Sequence, residues 1–178
     1  MAHAAPWQLI PSPGEEAAIR SETAQTAYES RRDAPARRAG EYVYISGIVI
    51  SRKPGEPNTP ATFKEQARAA FERIRTLLSA NGADFRDVVV MNSFHDWSAP
   101  EFGGDRMAQF EALRSIKDEF MIEPYPAWTA VGTSGMIRSD GIVEIQMIAY
   151  VTQHRGSESG EPKQDDRAAH LDRTDGAP

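Results

Sequence analysis

Strand-like and helix-like segments alternate through the middle of this chain, and their order restricts the fold more than any other feature. Residues 41–50 and 86–94 are rich in β-branched and aromatic residues, as strands are. Each is followed by a helical window, residues 62–80 and 105–121, in which apolar residues recur on one face. The order predicts an α+β fold with a mixed sheet and two helices on one of its faces. The other face also carries apolar residues and needs cover, for which a homo-oligomer is the natural solution.

Local signals predict where the helices lie. Thr62, with Glu65 three residues later, forms a capping-box pattern, which predicts that Thr62 is the N-cap of the first helix. Asn81 and Gly82 follow its last apolar residue and predict its end. The inward stripe of the second helix is predicted to comprise Phe110, Leu113, Ile116 and Phe120.

Residues 125–151 contain two apolar runs joined by a turn-like segment that ends in Asp140-Gly141. An Asp-Gly pair between strand-like runs is a strong short-range hairpin signal, so the two runs are predicted to pair with each other. The second run is typical of a buried strand, yet it carries Glu144 and Gln146 in its middle. Because buried polar groups need partners, these side chains are predicted to be paired structurally or exposed to a cleft.

Composition restricts the class of protein. The chain has 178 residues, enough for one core with tails. Its formal net charge of -6 at pH 7 argues against a broad basic face for nucleic acid or anionic lipid. The absence of cysteine excludes disulfides, thiolate metal sites and cysteine nucleophiles, and it fits a reducing compartment. Since the sequence has no apolar run that resembles a signal segment or membrane span, we expect a cytoplasmic enzyme or binding protein without a membrane partner.

The two ends of the chain differ from its middle. We therefore divide it into an amino-terminal arm (residues 1–32), one folded domain (33–152) and a polar tail (153–178). The tail has one large aliphatic residue, Leu171, and is predicted to be disordered because it cannot bury enough apolar surface to fold alone. Residues 14–32 have a helix-compatible composition and are predicted to form a short packed helix or a frayed arm, with one further strand near the amino end.

Several short motifs occur in a fixed order between residues 33 and 151. Each is weak alone, but their order and spacing together are specific. They are the strand that contains Ser46-Gly47, the helix with Gln66 and Phe71, the Gly82-Ala83 turn, the Pro126-Ala127 step and the VEIQMIA strand with Glu144. In this combination the sequence resembles the Rid family, also called the YjgF or L-PSP family.

The resemblance implies a chorismate-mutase-like α+β fold assembled as a trimer. In that assembly the sheets form a barrel with the helices outside, and ligand clefts lie between subunits. The imine deaminase members of the family hydrolyse enamines and imines without a metal or cofactor. The resemblance therefore implies a small-molecule ligand, no cofactor, no metal ligands and a homotrimer that covers the second face of the sheet.

Two positions carry the chemistry that the resemblance implies, and this chain keeps one of them. In the deaminase members a glutamate on the last strand positions water, and the matching residue here is Glu144. An arginine directly after the Pro-Ala step holds the substrate carboxylate, and this chain has Trp128 there. A guanidinium grips a carboxylate with two parallel hydrogen bonds, whereas an indole has one donor and a large flat face. We therefore do not expect a general aminoacrylate deaminase.

Three further residues are candidate ligand contacts, each with a structural alternative. Arg114, on the second helix, is a candidate cation for an anionic ligand group, or else a solvated residue paired with Glu111 and Asp118. Ser46 and Gly47 are candidates to offer a hydroxyl or a backbone N–H to a ligand. Their alternative is a structural bulge without a ligand role.

The remaining candidates also have structural alternatives. For Glu144 the alternative is a pair with a lysine or arginine, and for Trp128 it is packing in the core or at an interface. His95, near the end of the second strand, is either a proton carrier or a loop residue. With Asp96 it is too little for a metal site, and the sequence shows no Ser-His-Asp arrangement, phosphate loop or metal motif.

Three functions remain open. The first is a non-catalytic trimer that binds a small molecule. The second is an endoribonuclease, which the acidic charge disfavours. The leading hypothesis is a cofactor-free Rid-type hydrolase or deaminase of a conjugated enamine or imine acid, in which Glu144 is catalytic and the substrate-binding residues are Trp128, Arg114, Ser46 and Gly47.

Overall fold

Seven strands and two long helices make up the part of the chain that the computed structural model describes, which is residues 8–12, 15–19, 26 and 28–151. The helices are α1 (Pro60–Ala80) and α2 (Arg106–Phe120), and a short 3-10 helix covers Phe85–Asp87. The strands are β1 (Gln8–Ser12), β2 (Glu15–Ile19), β3 (Ala36–Ala39), β4 (Tyr42–Ser51), β5 (Val88–Asp96), β6 (Ala127–Thr133) and β7 (Gly141–Tyr150).

The described strands form one sheet in the order β1-β2-β3-β4-β7-β5-β6. Neighbouring strands are antiparallel except β5 and β6, which run parallel. Both long helices contribute buried residues to a single core that they share with the sheet. The predicted α+β fold, a mixed sheet with two helices on one face, is confirmed.

The predicted hairpin within residues 125–151 is wrong. Strands β6 and β7 do not pair with each other, because β5 lies between them. The turn itself forms, and the Gly141 N–H donates to the Arg138 carbonyl at 3.0 Å. A turn signal is local and predicts a chain reversal, not which strand becomes the neighbour. The strongly apolar β7 takes a place where both of its edges are paired, with β4 and with β5.

The amino-terminal region contains more strand than predicted. Strands β1, β2 and β3 continue the sheet outward from β4, and within the described part of residues 14–32 only residues 26 and 28–31 are helical. A helix here would have only Ile19 and Tyr28 as large apolar residues to bury. Pairing with β1 on one edge and β3 on the other instead satisfies the backbone N–H and C=O groups of β2. The predicted disordered tail, residues 153–178, lies outside the described residues.

Helix α1 begins earlier than its capping pattern predicts. Its N-cap is Thr59, whose Oγ1 accepts the Thr62 N–H at 3.2 Å. Pro60 follows at the start of the helix, where its fixed φ fits and its missing N–H costs nothing. Thr62 is therefore buried in the first turn and is not the cap. The predicted helix end is confirmed, with Asn81 as C-cap and Gly82 in the left-handed region at φ 73°.

The core lies between the helices and the sheet. Phe71 of α1 stacks on Phe120 of α2, with ring centroids 5.0 Å apart. Of the predicted α2 stripe, Leu113, Ile116 and Phe120 are buried, whereas Phe110 is only half-buried. The helix pair is thus joined by aromatic packing in the core, and Phe110 marks the edge of that core.

Alternate residues of β7 point to opposite faces of the sheet. Glu144 and Gln146 lie on the face away from the helices, where Tyr42 and Tyr44 of β4 are also exposed. The prediction that another copy of the chain covers this face stays a prediction. The residues of β7 that face the helices and are fully buried include Val143, Ile145 and Met147.

Three buried polar side chains, Ser93, His95 and Gln109, interrupt the apolar core. Ser93 and His95 point from β5 towards the helices, and His95 Nε2 lies 3.0 Å from Ser93 Oγ. The other ring nitrogen, Nδ1, lies 3.0 Å from Gln109 Oε1 on α2. Trp97 stacks on the imidazole with ring centroids 4.2 Å apart. Desolvation lowers the pKa of His95, so this histidine is held in its neutral form.

We expect this buried histidine to make the folded chain less stable in mild acid. In the unfolded chain His95 titrates near its ordinary pKa of about 6.5, whereas in the folded chain its pKa is lower. Its contribution to the free energy of unfolding is therefore fully present above about pH 6.5 and is lost as the pH falls through the folded-state pKa, at up to about 1.4 kcal/mol per pH unit.

Urea unfolding of the wild-type chain and of His95→Gln between about pH 5 and pH 7.5 measures this contribution. The other histidines and the carboxylates cancel in the comparison, because both chains carry them. The difference in unfolding free energy should narrow as the pH falls. A difference that stays constant over this range would show that His95 is protonated with equal ease in both states.

Candidate functional site

Glu144 lies over the backbone of Gly47 on the neighbouring strand. Strand β4 shifts register against β7 between Ile45 and Ile48, which places Gly47 in an irregular part of the ladder. A Cβ atom built on Gly47 would lie 1.6 Å from Glu144 Oε1. Any side chain at position 47 would therefore displace the carboxylate. The glycine marks both the bulge and the close approach that its place inside a strand predicts.

The Glu144 carboxylate has no hydrogen-bond or salt-bridge partner among the residues that the structure describes. Its cross-strand neighbours are Val49 on β4 and Phe94 on β5. The next polar residue along the same face, Gln146, accepts a hydrogen bond from Asn92 Nδ2 at 3.3 Å. Gln146 is therefore paired structurally, which is one of the two predicted outcomes. The Glu144 carboxylate is available to bind water, a ligand or another chain.

Ser46 can offer a ligand only one of the two groups that the sequence suggests. Its backbone N–H is already used, because it donates to the Pro35 carbonyl at 3.0 Å. The residue is exposed, and its hydroxyl remains a candidate ligand contact beside Gly47. Of the two groups considered for Ser46, the hydroxyl is the one the geometry leaves open.

Trp128 and Glu144 lie on opposite faces of the sheet. Residues paired directly across a ladder share a face. Phe94 is paired with Glu144 on β7, whereas Met91 is paired both with Met147 on β7 and with Trp128 on β6. Met91 and Met147 are core residues, so Trp128 projects to the helix side. One chain therefore does not bring Trp128 and Glu144 to the same ligand.

Trp128 is half-buried between β5 and helix α2. Its ring stacks on Phe110, with centroids 5.2 Å apart and planes within 7° of parallel. The Lys117 Nζ lies 5.0 Å from the centroid of the indole. The indole Nε1–H donates to Ser93 Oγ at 2.9 Å. The stack on Phe110 and the bonded Nε1–H together give Trp128 a fixed orientation.

Arg114 is a surface residue paired with two acids, as the structural alternative predicts. Its guanidinium lies 2.7 Å from a carboxylate oxygen of Glu111 and 3.2 Å from one of Asp118, on the exposed side of α2. The hydrogen bond to Glu111 raises the pKa of Arg114 above its already high ordinary value. The cation found on the Trp128 ring within the described residues is Lys117. The structure brings Lys117 to Trp128 and leaves Arg114 on the surface.

Sequence reasoning missed the buried chain of Ser93, His95 and Gln109. His95 belongs to β5 and is fully buried, so the interpretation of it as a loop residue is wrong. The signal that could have found the pair is spacing, since residues two apart in a strand share a face. The chain contains a Ser-His contact oriented by a glutamine, but neither the serine nor the histidine reaches the surface.

The described residues hold no group of three or more histidine, cysteine, aspartate and glutamate side chains that could bind a metal ion. No helix in this part of the chain is long and apolar enough to cross a membrane. The candidate site consists of Glu144, Gly47 and Ser46 on one side of the sheet, with Trp128 and Lys117 on the other.

Comparisons with known proteins give one consistent family match. Residues 24–151 match the family model described as Endoribonuclease L-PSP. The RutC family protein YjgH of Escherichia coli strain K12 is 35% identical over 127 residues, which cover 71% of this chain and 88% of that protein. The 3-aminoacrylate deaminase RutC of Acinetobacter baylyi is 28% identical over 118 residues, which cover 66% of this chain and 85% of that protein.

A solved structure agrees with the family match. The structure of protein YJGH, 35% identical in sequence, superposes with a TM-score of 0.54 over 71% of this chain and 88% of that one. The region matched by the family model contains both long helices and strands β3 to β7. This chain therefore belongs to the L-PSP family, which is also called the Rid or YjgF family.

Proposed function

We propose that this chain is a Rid-type hydrolase that deaminates a conjugated enamine or imine acid, with Glu144 as its catalytic group. One observation carries the proposal: the Glu144 carboxylate lies over Gly47 without a partner among the described residues. A carboxylate left free beside two apolar side chains, Val49 and Phe94, is available for proton transfer. A relative with 28% identity is named a 3-aminoacrylate deaminase, an activity of the same class.

The proposed reaction requires one carboxyl group that acts first as a base and then as an acid. Water attacks the carbon of the protonated imine, and Glu144 accepts one proton of that water to give a neutral carbinolamine. The resulting carboxylic acid protonates the amine nitrogen. The C–N bond then breaks and its electron pair leaves with ammonia, while the Glu144 carboxylate takes the hydroxyl proton as the C=O bond forms. Transfer of that proton to ammonia gives ammonium and restores the carboxylate. An enamine enters the same path after protonation at carbon.

The proposed cleft requires two copies of the chain. Glu144 and Trp128 project from opposite faces of one sheet, so a single chain cannot present both to one small molecule. In a homotrimer with clefts between subunits, the open face of one copy can lie against the β6 edge of the next. The same contact would cover Tyr42 and Tyr44, which are exposed in the single chain. These features support a homotrimer with shared clefts.

Trp128 supports a flatter and larger substrate than aminoacrylate. The family resemblance assigns a carboxylate-binding arginine to this position, and an indole cannot reproduce its paired hydrogen bonds. What Trp128 can offer is an aromatic face, whose contact favours a flat conjugated ligand. A conjugated enamine or imine acid combines that shape with the bond that Glu144 would hydrolyse.

Loss of the arginine also favours the alternative of a trimer that binds a ligand without turnover. A thermal-shift screen with conjugated acids, followed by analysis of the recovered ligand, separates the two functions. Stabilisation without chemical change would favour the binding protein. An endoribonuclease would instead show strong, salt-dependent RNA binding, which the net charge of -6 disfavours.

We expect Glu144→Gln to lower kcat for imine hydrolysis by about a hundredfold or more, because it removes the proton acceptor and keeps the volume. Ammonia release above the spontaneous rate measures kcat, with the imino acid that an amino acid oxidase generates in situ from phenylalanine, whose enamine form is flat and conjugated. Glu119→Gln, an exposed helix residue paired with Arg68, is the matched control and should keep the wild-type rate. Equal rates for Glu144→Gln and the wild-type chain would remove Glu144 from the mechanism.

We expect Gly47→Ala to mimic the loss of Glu144. The added Cβ would collide with Glu144 Oε1 and displace the carboxylate, while the backbone at position 47 tolerates alanine because its φ is not positive. The variant should fold and should lose most of the activity. In a double-mutant cycle, Gly47→Ala should add no further loss to Glu144→Gln. Additive losses would mean that Gly47 acts independently of the carboxylate.

A further inference from the structure

We propose that Lys117 binds the anionic group of the ligand at Trp128, and that Ser93, His95 and Gln109 hold Trp128 so that it contributes only its ring face. This inference rests on the proposed function, because it takes Trp128 as a wall of the cleft. It names a group that takes over anion binding in place of the arginine expected at position 128.

The direction of the first hydrogen bonds is determined by Gln109. Its Nε2 donates to the Asp96 carbonyl at 3.0 Å, so its Oε1 is the acceptor for the Nδ1–H of His95, also at 3.0 Å. A neutral imidazole with its proton on Nδ1 has a free lone pair on Nε2. That nitrogen accepts the hydroxyl proton of Ser93 across 3.0 Å.

The same chain uses the single donor of the indole. Because the Ser93 hydroxyl donates to His95, its oxygen is left to accept, and it receives the Nε1–H of Trp128 at 2.9 Å. Ser93, His95 and Gln109 are all buried, so this arrangement is shielded from competition by water. The Trp128 side chain consequently has no free donor for a ligand carboxylate.

Lys117 is the cation placed to donate to a ligand carboxylate at Trp128. Its Nζ lies 5.0 Å from the centroid of the Trp128 ring, and its side chain is only 16% exposed. The Arg114 side chain is 48% exposed and bonded to two carboxylates on the outer side of α2. A poorly solvated ammonium attracts an anion more strongly than one in bulk water. A flat acid stacked at Trp128 would therefore meet Lys117 first.

The local charges allow Lys117 to exchange its partner. Its Nζ lies 2.7 Å from Asp118 Oδ1, while the other oxygen of Asp118 already accepts from Arg114 at 3.2 Å. If Lys117 turns to a ligand anion, Asp118 keeps Arg114 as its cation. When Lys117 exchanges Asp118 for the ligand anion, Lys117, Asp118 and Arg114 therefore each keep a partner of opposite charge.

Equilibrium binding of cinnamate and of its neutral amide, cinnamamide, tests the proposal by isothermal calorimetry. Both probes are flat and conjugated, and they differ in charge. Lys117→Met should weaken cinnamate binding by about tenfold to a hundredfold and should change cinnamamide binding by less than about twofold. Lys117→Arg should restore most of the selectivity for the acid. Lys64→Met, a lysine on α1, is the matched control and should bind both probes as the wild-type chain does.

Three results would overturn the role of Lys117. Equal losses for acid and amide would indicate a packing role, and a selective loss in Arg114→Met but not in Lys117→Met would return the anion site to Arg114. A wild-type chain that binds neither probe would leave Trp128 without a ligand role. Failure of the proposed reaction is a separate result, because it appears as the absence of ammonia release while acid-selective binding persists.

Ser93→Ala tests the orientation of Trp128. Without the serine oxygen the indole N–H loses its acceptor, so its signal in a proton–nitrogen correlation spectrum should move, and Trp128→Phe identifies that signal. The same variant should bind cinnamate more weakly than the wild-type chain. An unchanged indole signal would show that Ser93 does not hold the ring.

Discussion

Strand β7 is the constraint on which the rest of the structure depends. It pairs with β4 on one edge and β5 on the other, and these two ladders determine the face to which each of its side chains points. A shift of one residue would place Glu144 in the core and Ile145 on the open face. Burial of an unpaired carboxylate costs several kcal/mol, so the register that makes the core also positions the candidate catalytic group.

Much of the fold could be predicted because periodicity reports burial. The helical stripe of α2 and the apolar run of β7 were both visible in the sequence, and most of the residues in them are buried. Strand neighbours are less visible, because the turn that ends at Gly141 reverses the chain without pairing the strands that flank it. Of the three amino-terminal strands, the sequence predicted one, for a related reason. Their pairing depends on backbone hydrogen bonds, and they contain few large side chains that would indicate a strand in the sequence.

The candidate site was predictable in one half only. Glu144 and Gly47 stand out because a carboxylate and a glycine are unusual inside apolar strands, and the structure places them together. For the part of the site at Trp128, the sequence led us to choose Arg114 as the cation. Acids three residues before it and four residues after it, however, can form ion pairs with its guanidinium within the helix. Lys117 lies seven residues after Phe110 and so shares its helix face, which is the spacing that brings both to Trp128.

The contact between Gly47 and Glu144 also has an evolutionary consequence. While the carboxylate is retained, position 47 can carry no side chain, since a single methyl group would occupy the space of Oε1. Once the carboxylate is lost, that restriction ends, and the position is free to drift or to fill the gap. Among related sequences, residue 47 should therefore record whether a lineage still selects for the position of the acid. A glycine would remain where the acid is in use, and larger residues would accumulate where it has been abandoned.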